Sequence, residues 1–368
     1  MKITDIDIRM CRHKETGMKD SEMRDGKKSD LEFLVITFHT DEGLSSSTFG
    51  FAGRGAAMAG EIANSIFKPF FIGRDPLYRE KHWHEYRTAD RWWNHAPIYS
   101  YGPFDINCWL LSSMKAEQPL YKYLGAYRDS VPIYGSSLVL KTPDAYAKEA
   151  LEYKNRGFNA YKLHPPGDYD FDLEAHKAVR KAVGDDFKLM SDPVAPYTFE
   201  QALRFGRELE KLNYYWYEEP LFDENFHNLR ELTRILDIPI VGTEVLAKHP
   251  YSVAECISTR VVDVVRADPS WSGGITATMK TAHLAESFGV SCEIHTAIYH
   301  PLELVNLHCC AAIKNCEFFE VLLPYDLFNF GLKESIQIKD GYAQLPNKPG
   351  LGIDLDWDFI DNTTFKKV

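Results

Sequence analysis

Three short β-rich runs of this chain end in a carboxylate, and they recur at a fixed interval. Asp192 closes Leu189-Met190-Ser191-Asp192, Glu218 closes Trp216-Tyr217-Glu218, and Glu244 closes Val241-Gly242-Thr243-Glu244. Consecutive members lie 26 residues apart, as 218 − 192 and 244 − 218. A strand, a helix and their turns consume about that length, so the rhythm predicts one βα unit per carboxylate. The pattern extends both ways. Strand-like runs fall at 131–134, 161–163, 187–190, 214–217, 238–241, 261–265, 290–294 and 318–322. Helical spacing of apolar residues fills gaps between them, as at 172–183, 199–212, 226–236 and 275–288. Thr198 with Gln201 three residues later is a capping-box signature for the helix at 199. Eight βα repeats in about 200 residues predict an α/β fold of the (β/α)8 type, a TIM barrel.

The opening third reads differently. Residues 2–10 alternate apolar and polar side chains, as a strand does, and 34–38 form a second strand before a turn at Asp41-Glu42-Gly43. Residues 13–30 are polar and charged, with Gly17 and Gly26, and read as a mobile loop. Residues 45–55 are small and glycine-rich, and read as a second loop able to close over a ligand. Helices are expected at 56–67, 75–91 and 104–117. The expected organisation is an α+β capping domain over 1–125, a catalytic barrel over 126–330, and a C-terminal segment over 331–368 that returns to the capping domain. That tail should run as a strand, a turn at Asp340-Gly341 and an extended end.

Composition removes several function classes. A net charge of −11 argues against binding nucleic acid through phosphate neutralisation. No apolar run is long enough to span a bilayer, and Met1-Lys2-Ile3-Thr4-Asp5 lacks a signal-peptide core, so no membrane and a cytoplasmic location are expected. Seven cysteines without a regular framework read as reduced thiols, Cys309-Cys310 being a buried helical pair. There is no Gly-x-Ser-x-Gly nucleophile motif. No Cys/His cluster has zinc-ligand spacing: His82 and His84, two apart on a helix, face different ways.

In such a barrel the C-terminal ends of the strands face the active site. Asp192, Glu218 and Glu244 would then converge, and three carboxylates repel one another unless a cation neutralises them. Hard oxygen donors with open positions suit Mg2+. Any one of these acids alone would read as a helix cap or surface charge; their repetition on successive strand ends points to metal. Lys162 and His164, in Ala160-Tyr161-Lys162-Leu163-His164, share a strand face because they are two apart. A basic pair on a strand is commonly a solvated face, but here it points into the barrel mouth. Asp268 ends the sixth strand and His295 the seventh, so a carboxylate can lie beside an imidazole, fix its tautomer and raise its basicity. Singly, His295 would be a structural hydrogen-bonder and Asp268 a cap. Glu320, on the eighth strand, either accepts a hydrogen bond from substrate or caps a loop.

These motifs resemble the enolase superfamily, in its mandelate racemase-like branch. The resemblance covers most of the chain. It rests on Trp216-Tyr217-Glu218-Glu219-Pro220, the Asp268/His295 pair, the closing Pro349-Gly350-Leu351-Gly352, and the junction from Asp105-Ile106-Asn107 to Leu124-Gly125. It implies a substrate carboxylate on Mg2+, a base that removes the α-proton, and metal stabilisation of the enediolate. Lys162 matches the first lysine of the family's Lys-x-Lys motif, and His164 stands in the place of the second, a departure. Val194 is a second departure, where many relatives carry a polar residue. His295, backed by Asp268, matches the acid or base of the opposite face. The acid role is assigned to His295 with Asp268 and the base role to the Lys162/His164 side.

The branch includes racemases, acid-sugar dehydratases and cycloisomerases. A polar small-molecule substrate is expected, because the capping loops carry Lys14, Lys19, Arg24, Ser45, Ser46, Ser47 and Arg54. Arg54, between two glycines, is the candidate substrate ligand among them. Tyr299 and His300, just beyond His295, add polar groups at the rim or simply begin a helix. The expected reaction is Mg-dependent β-elimination from an acid sugar to a 2-keto-3-deoxy acid, by a dehydratase or cycloisomerase. Racemisation or epimerisation of a 2-hydroxy acid is the alternative. A non-enzymatic sugar-binding barrel would need no proton shuttle, so the Asp268/His295 pair disfavours it. A homo-oligomer is the expected assembly.

Overall fold

The computed structural model describes residues 1–14, 30–53, 55–296 and 298–368. Strands β1 (Ile3–His13), β2 (Leu31–Thr40) and β3 (Ser45–Phe51) form an antiparallel sheet, and the last strand of the chain, Thr364–Lys367, adds to the free edge of β1. The β1–β2 register sets Ile8 opposite Ile36 and Met10 opposite Leu34. Along β1, Ile6, Ile8 and Met10 are buried while Asp5 and Asp7 are exposed, as period-two alternation requires for one covered face. β2 is covered on both faces. Leu34, Ile36 and Phe38 pack with helices Ala56–Ile62 and Gly102–Lys115, whereas Phe33 and Val35 join the large core that continues into the barrel. Gly60 allows the first of those helices to lie against β1, because a Cβ there would run into Met10.

β3 corrects the expectation of a lid at 45–55. Residues 45–51 are paired along β2, with Ile36 opposite Thr48 and Thr37 opposite Ser47. Their hydroxyls are used inside the protein: Ser46 donates to Asn107 Oδ1 at 2.7 Å, and Ser47 and Thr37 share a bond at 2.8 Å. Phe49 stacks on Phe33 with ring centroids 4.6 Å apart. Of the other loop expectation, residues 15–29 lie outside the described residues, as does Arg54.

The barrel strands are β4 (Ser130–Ser136), β5 (Ala160–Leu163), β6 (Lys188–Ser191), β7 (Trp216–Glu218), β8 (Ile240–Gly242), β9 (Val264–Ala267), β10 (Ser291–Ile294) and β11 (Phe319–Leu322). β4 to β10 pair in chain order, all parallel, and β11 returns to pair with β4. Between β10 and β11 the Glu293 carboxylate accepts the amides of Glu317 and Phe318 at 2.8 and 3.2 Å. The intervening helices turn one stripe inward. Helix Phe199–Lys211 buries Ala202, Phe205, Gly206 and Leu209, and Thr198 and Gln201 complete the expected capping box.

The interior is layered, as alternation along inward-pointing strands dictates. Tyr134, Ala160, Met190, Trp216, Val241 and Phe318 form an apolar plug. Two residues further along their strands, Ala160, Met190, Trp216 and Phe318 are followed by Lys162, Asp192, Glu218 and Glu320. The same period takes Val264 to Arg266 and then to Asp268. The charged layer therefore rests on an apolar floor.

The tail differs in detail from its expected course. Hairpin β12 (Ile338–Lys339) and β13 (Tyr342–Gln344) turns at Asp340-Gly341, but β13 pairs antiparallel with barrel strand β4. A helix, Trp357–Thr363, precedes β14 (Thr364–Lys367), where the sequence read only as extended. Among the described residues no helix is long and apolar enough to cross a membrane.

Candidate active site

Strand ends bring Asp192, Glu218 and Glu244 together. Each offers a carboxylate oxygen within 4.8 Å of the others, and all three side chains are buried. Two cations from the same charged layer stand against them. Lys162 Nζ lies 3.2 Å from Asp192, 3.0 Å from Glu218 and 2.9 Å from Glu320. Arg266 Nε lies 2.8 Å from Glu218 and 3.0 Å from Glu244, while its Nη2 reaches Glu320 at 2.6 Å. Both basic side chains are fully buried.

These internal cations do not complete the site. Arg266 Nε–H is aimed at Glu244, and Glu218 Oε1 is left buried without a hydrogen bond among the described residues. Glu219 Oε1 is in the same condition. Burial pushes the Glu218 carboxyl up to about 7; Arg266 and Lys162 pull it down, and the charges of Asp192 and Glu244 push it up. Burial also raises Glu219 well above the carboxylate range, with Glu244, Asp192 and Asp223 adding to it. A buried, under-compensated set of hard oxygen donors fits a divalent cation such as Mg2+, held by Asp192, Glu218 and Glu244.

The backbone around the cluster is unusual. Val194, Ala195, Glu219 and Thr243 have φ of 59°, 55°, 39° and 81°, the left-handed region that ordinary residues avoid. All four lie within three residues of one of the three carboxylates, and strain of this kind gathers at ligand sites.

Two imidazoles flank the carboxylates, each anchored through Nδ1. His164 Nδ1 donates to the Ser137 carbonyl at 2.7 Å, and Nε2 lies 2.9 Å from Asp192 Oδ2. Burial works against its charged form, but the charge and hydrogen bond of Asp192 prevail and its pKa is raised. His295 Nδ1 lies 2.8 Å from Asp268 Oδ2, and Nε2 lies 3.8 Å from Glu244. For His295 too burial opposes the charge, yet Glu244 and Asp268 carry its pKa up to about 9. Asp268 is itself fixed by the Ser270 amide at 2.7 Å and Asn306 Nδ2 at 3.4 Å, and that amide group also donates to the His295 carbonyl at 2.5 Å. The Trp271 indole packs on the His295 ring with centroids 4.4 Å apart, and Phe51, at the end of β3, meets Trp271 edge-on at 5.6 Å.

Several candidates from the sequence take other positions. Tyr299 is buried and donates to the Glu32 carbonyl at 2.6 Å, tying the barrel to β2. His300 is buried; Nδ1 donates to Glu303 at 2.8 Å and Nε2 accepts the Ile336 amide at 3.2 Å. Both ring nitrogens of His300 are spent on structure, and Tyr299 and His300 begin a helix, the second of the two expectations, rather than standing at the rim. Glu320 is buried in the charged layer, where it accepts from Lys162, Arg266 and the Thr296 amide. Burial opposes its charge, but Lys162 and Arg266 hold its carboxyl well below the usual range. Lys162 is correspondingly held as an ammonium in this arrangement: burial disfavours it, yet Glu218 and Glu320 raise its pKa well above that of a free lysine. Sequence reasoning missed Arg266, Trp271 and the anchoring Ser137 and Asn306. Only Arg266 carried a signal, two residues before Asp268 on the same strand face.

The fold and this site define a TIM-barrel enzyme whose buried acidic triad sits between two anchored imidazoles. Residues 145–359 match the family described as enolase C-terminal domain-like, and the chain belongs to it. It is 31% identical over 316 residues to arabinonate dehydratase of Saccharolobus solfataricus, covering 82% of this chain and 84% of that one. It is 26% identical over 348 residues to 3,6-anhydro-alpha-L-galactonate cycloisomerase of Streptomyces coelicolor, covering 90% and 91%. Among solved structures, D-glucarate dehydratase from Agrobacterium tumefaciens complexed with magnesium superposes with a TM-score of 0.88 at 33% identity, over 100% of both chains.

Proposed function

We propose that this enzyme removes the proton α to the carboxylate of an acid sugar and eliminates the β-oxygen, giving a 2-keto-3-deoxy acid. The observation that carries the reading is the pair of imidazoles flanking one acidic triad. Each has Nδ1 fixed by an acceptor of the chain, which leaves Nε2 as the atom that exchanges protons. Two dehydratases and a cycloisomerase of acid sugars among its relatives support the substrate class.

Asp192, Glu218 and Glu244 are the proposed Mg2+ ligands. Magnesium bound there supplies the positive charge that stabilises a substrate carboxylate as its α-proton leaves. His164 Nε2 takes that proton as the α-C–H bond breaks. Lys162 stays protonated beside it and offsets negative charge. His295 Nε2 gives a proton to the departing β-oxygen as the C–O bond breaks, and Asp268 stabilises the imidazolium beforehand. A departing hydroxyl leaves as water, and a departing ring oxygen opens the ring; the enol product then becomes the keto acid.

The same two-sided arrangement of Nε2 atoms also supports racemisation, with one imidazole removing the proton and the other returning it. Product analysis separates the readings. Aldonic, aldaric and anhydro-sugar acids are incubated with enzyme and Mg2+ and assayed for 2-keto acid. Formation of a 2-keto-3-deoxy acid is expected. A stereoisomer of unchanged composition would favour racemisation, and no reaction with any member would overturn the elimination.

A further inference from the structure

One cation at the barrel mouth is unused by this chemistry. Lys248 lies in the loop after β8, four residues beyond Glu244. That loop is pinned, since the Leu246 and Ala247 amides both donate to Asp223 Oδ2, at 2.8 and 2.7 Å. The next residue, His249, caps helix Pro250–Ser258 and stacks on Trp83 at 6.1 Å, which fixes the other side. Lys248 Nζ stands 6.0 Å from the centre of the Trp271 indole, whose ring packs on His295. Among the described residues no carboxylate comes within 4.0 Å of this ammonium and no acceptor hydrogen-bonds it. Elsewhere Lys115 pairs with Glu42, Lys211 with Glu208 and Lys280 with Glu80. Lys248 is half-buried and has no such counter-ion among the described residues. Burial lowers its pKa, and Asp223 and Asp268 offset this only in part, so an anion beside it would be stabilised.

We propose that Lys248 binds a carboxylate at the end of the substrate remote from the acidic triad, so that the preferred substrate is an aldaric acid, with the Trp271 face supporting its carbon chain. This rests on the acid-sugar reading above. The path from Glu244 through the His295 imidazole and the Trp271 indole to Lys248 runs from the reacting end to the mouth. An aldonic acid presents a terminal hydroxyl there and leaves the ammonium without its counter-ion.

The test compares matched pairs, glucarate with gluconate and galactarate with galactonate, on the Mg2+-loaded enzyme and on Lys248→Met and Lys248→Arg. In Lys248→Met, kcat/KM for an aldarate should fall at least about tenfold further than for its aldonate, mainly through KM, and Lys248→Arg should recover part of the loss. Equal losses on both classes, or a wild-type preference for aldonates, would overturn the proposal. Calorimetric binding of the same acids separates it from the reaction. If no acid is eliminated, yet aldarate binding weakens at least about tenfold in Lys248→Met, the elimination reading fails and the role of Lys248 stands. If binding is unchanged in the variant, Lys248 has no such role.

Discussion

Replacing Arg266 by methionine removes a charge but little volume from the charged layer of the barrel. The guanidinium is fully buried and lies 2.8, 3.0 and 2.6 Å from Glu218, Glu244 and Glu320. Lys162 remains on Glu218 and Glu320, but among the described residues Glu244 keeps only the His295 ring, at 3.8 Å. Removing one partner of a buried ion network costs about 3–5 kcal/mol, because the remaining charges stay desolvated. With an unfolding entropy of about 2.1 cal/mol/K per residue over 368 residues, that is a loss of about 4–6 °C in melting temperature. Scanning calorimetry in EDTA should show this loss, and Arg266→Lys should lose less. Added Mg2+ should narrow the gap, since a divalent cation offsets the same carboxylates. If the methionine variant melts with the wild type in EDTA, Arg266 is not the counter-ion that holds this layer together.

Three further outcomes are expected. Glu218→Gln keeps the volume of the triad but removes a charge, so Mg2+-dependent turnover should nearly vanish while circular dichroism stays native; full activity in the variant would refute the metal assignment. His295→Asn should still exchange the substrate α-proton in deuterated water while losing elimination, and His164→Ala should lose both; the opposite pattern reverses the two roles. Burial holds His176 and His308 at about 4, their hydrogen bonds to the Asp172 and Leu351 carbonyls offsetting only part of it, so the unfolded chain binds their protons more tightly than the folded one. Their contribution to stability should therefore be complete above about pH 6.5 and fall towards pH 4, by up to about 3 kcal/mol per histidine, and denaturant titrations of His308→Gln should show a shallower fall.

The barrel was legible because its signal is periodic and local. Strands expected at 187–190 and 290–294 appear as Lys188–Ser191 and Ser291–Ile294, since alternation and the interval between carboxylates mark each strand independently of its neighbours. β3 was not legible. Three consecutive serines read as loop chemistry, and Ser46 is tolerated in a buried strand only because Asn107, 61 residues away, accepts its hydroxyl. Arg266 was missed for a related reason: its place two residues before Asp268 fixes its strand face, but its role shows only once carboxylates from three other strands surround it. For His300 the helix-start reading is the one the structure shows. Its partner Glu303 is three residues along the same helix, a spacing that already suggested a local pair.

The ring contacts that join Phe51 to Trp271 and Trp271 to His295 make the two sheets of this enzyme unequal neighbours rather than separate modules. A change of side chain at Phe51, in a strand that touches no carboxylate of the triad, would tilt the indole and with it the imidazole. Selection acting on the outer sheet to admit a new sugar would then also retune the proposed proton donor, His295. Variation along this route is expected to come in correlated pairs, position 51 with position 271, and directed evolution of substrate range should recover compensating substitutions there before it recovers single ones.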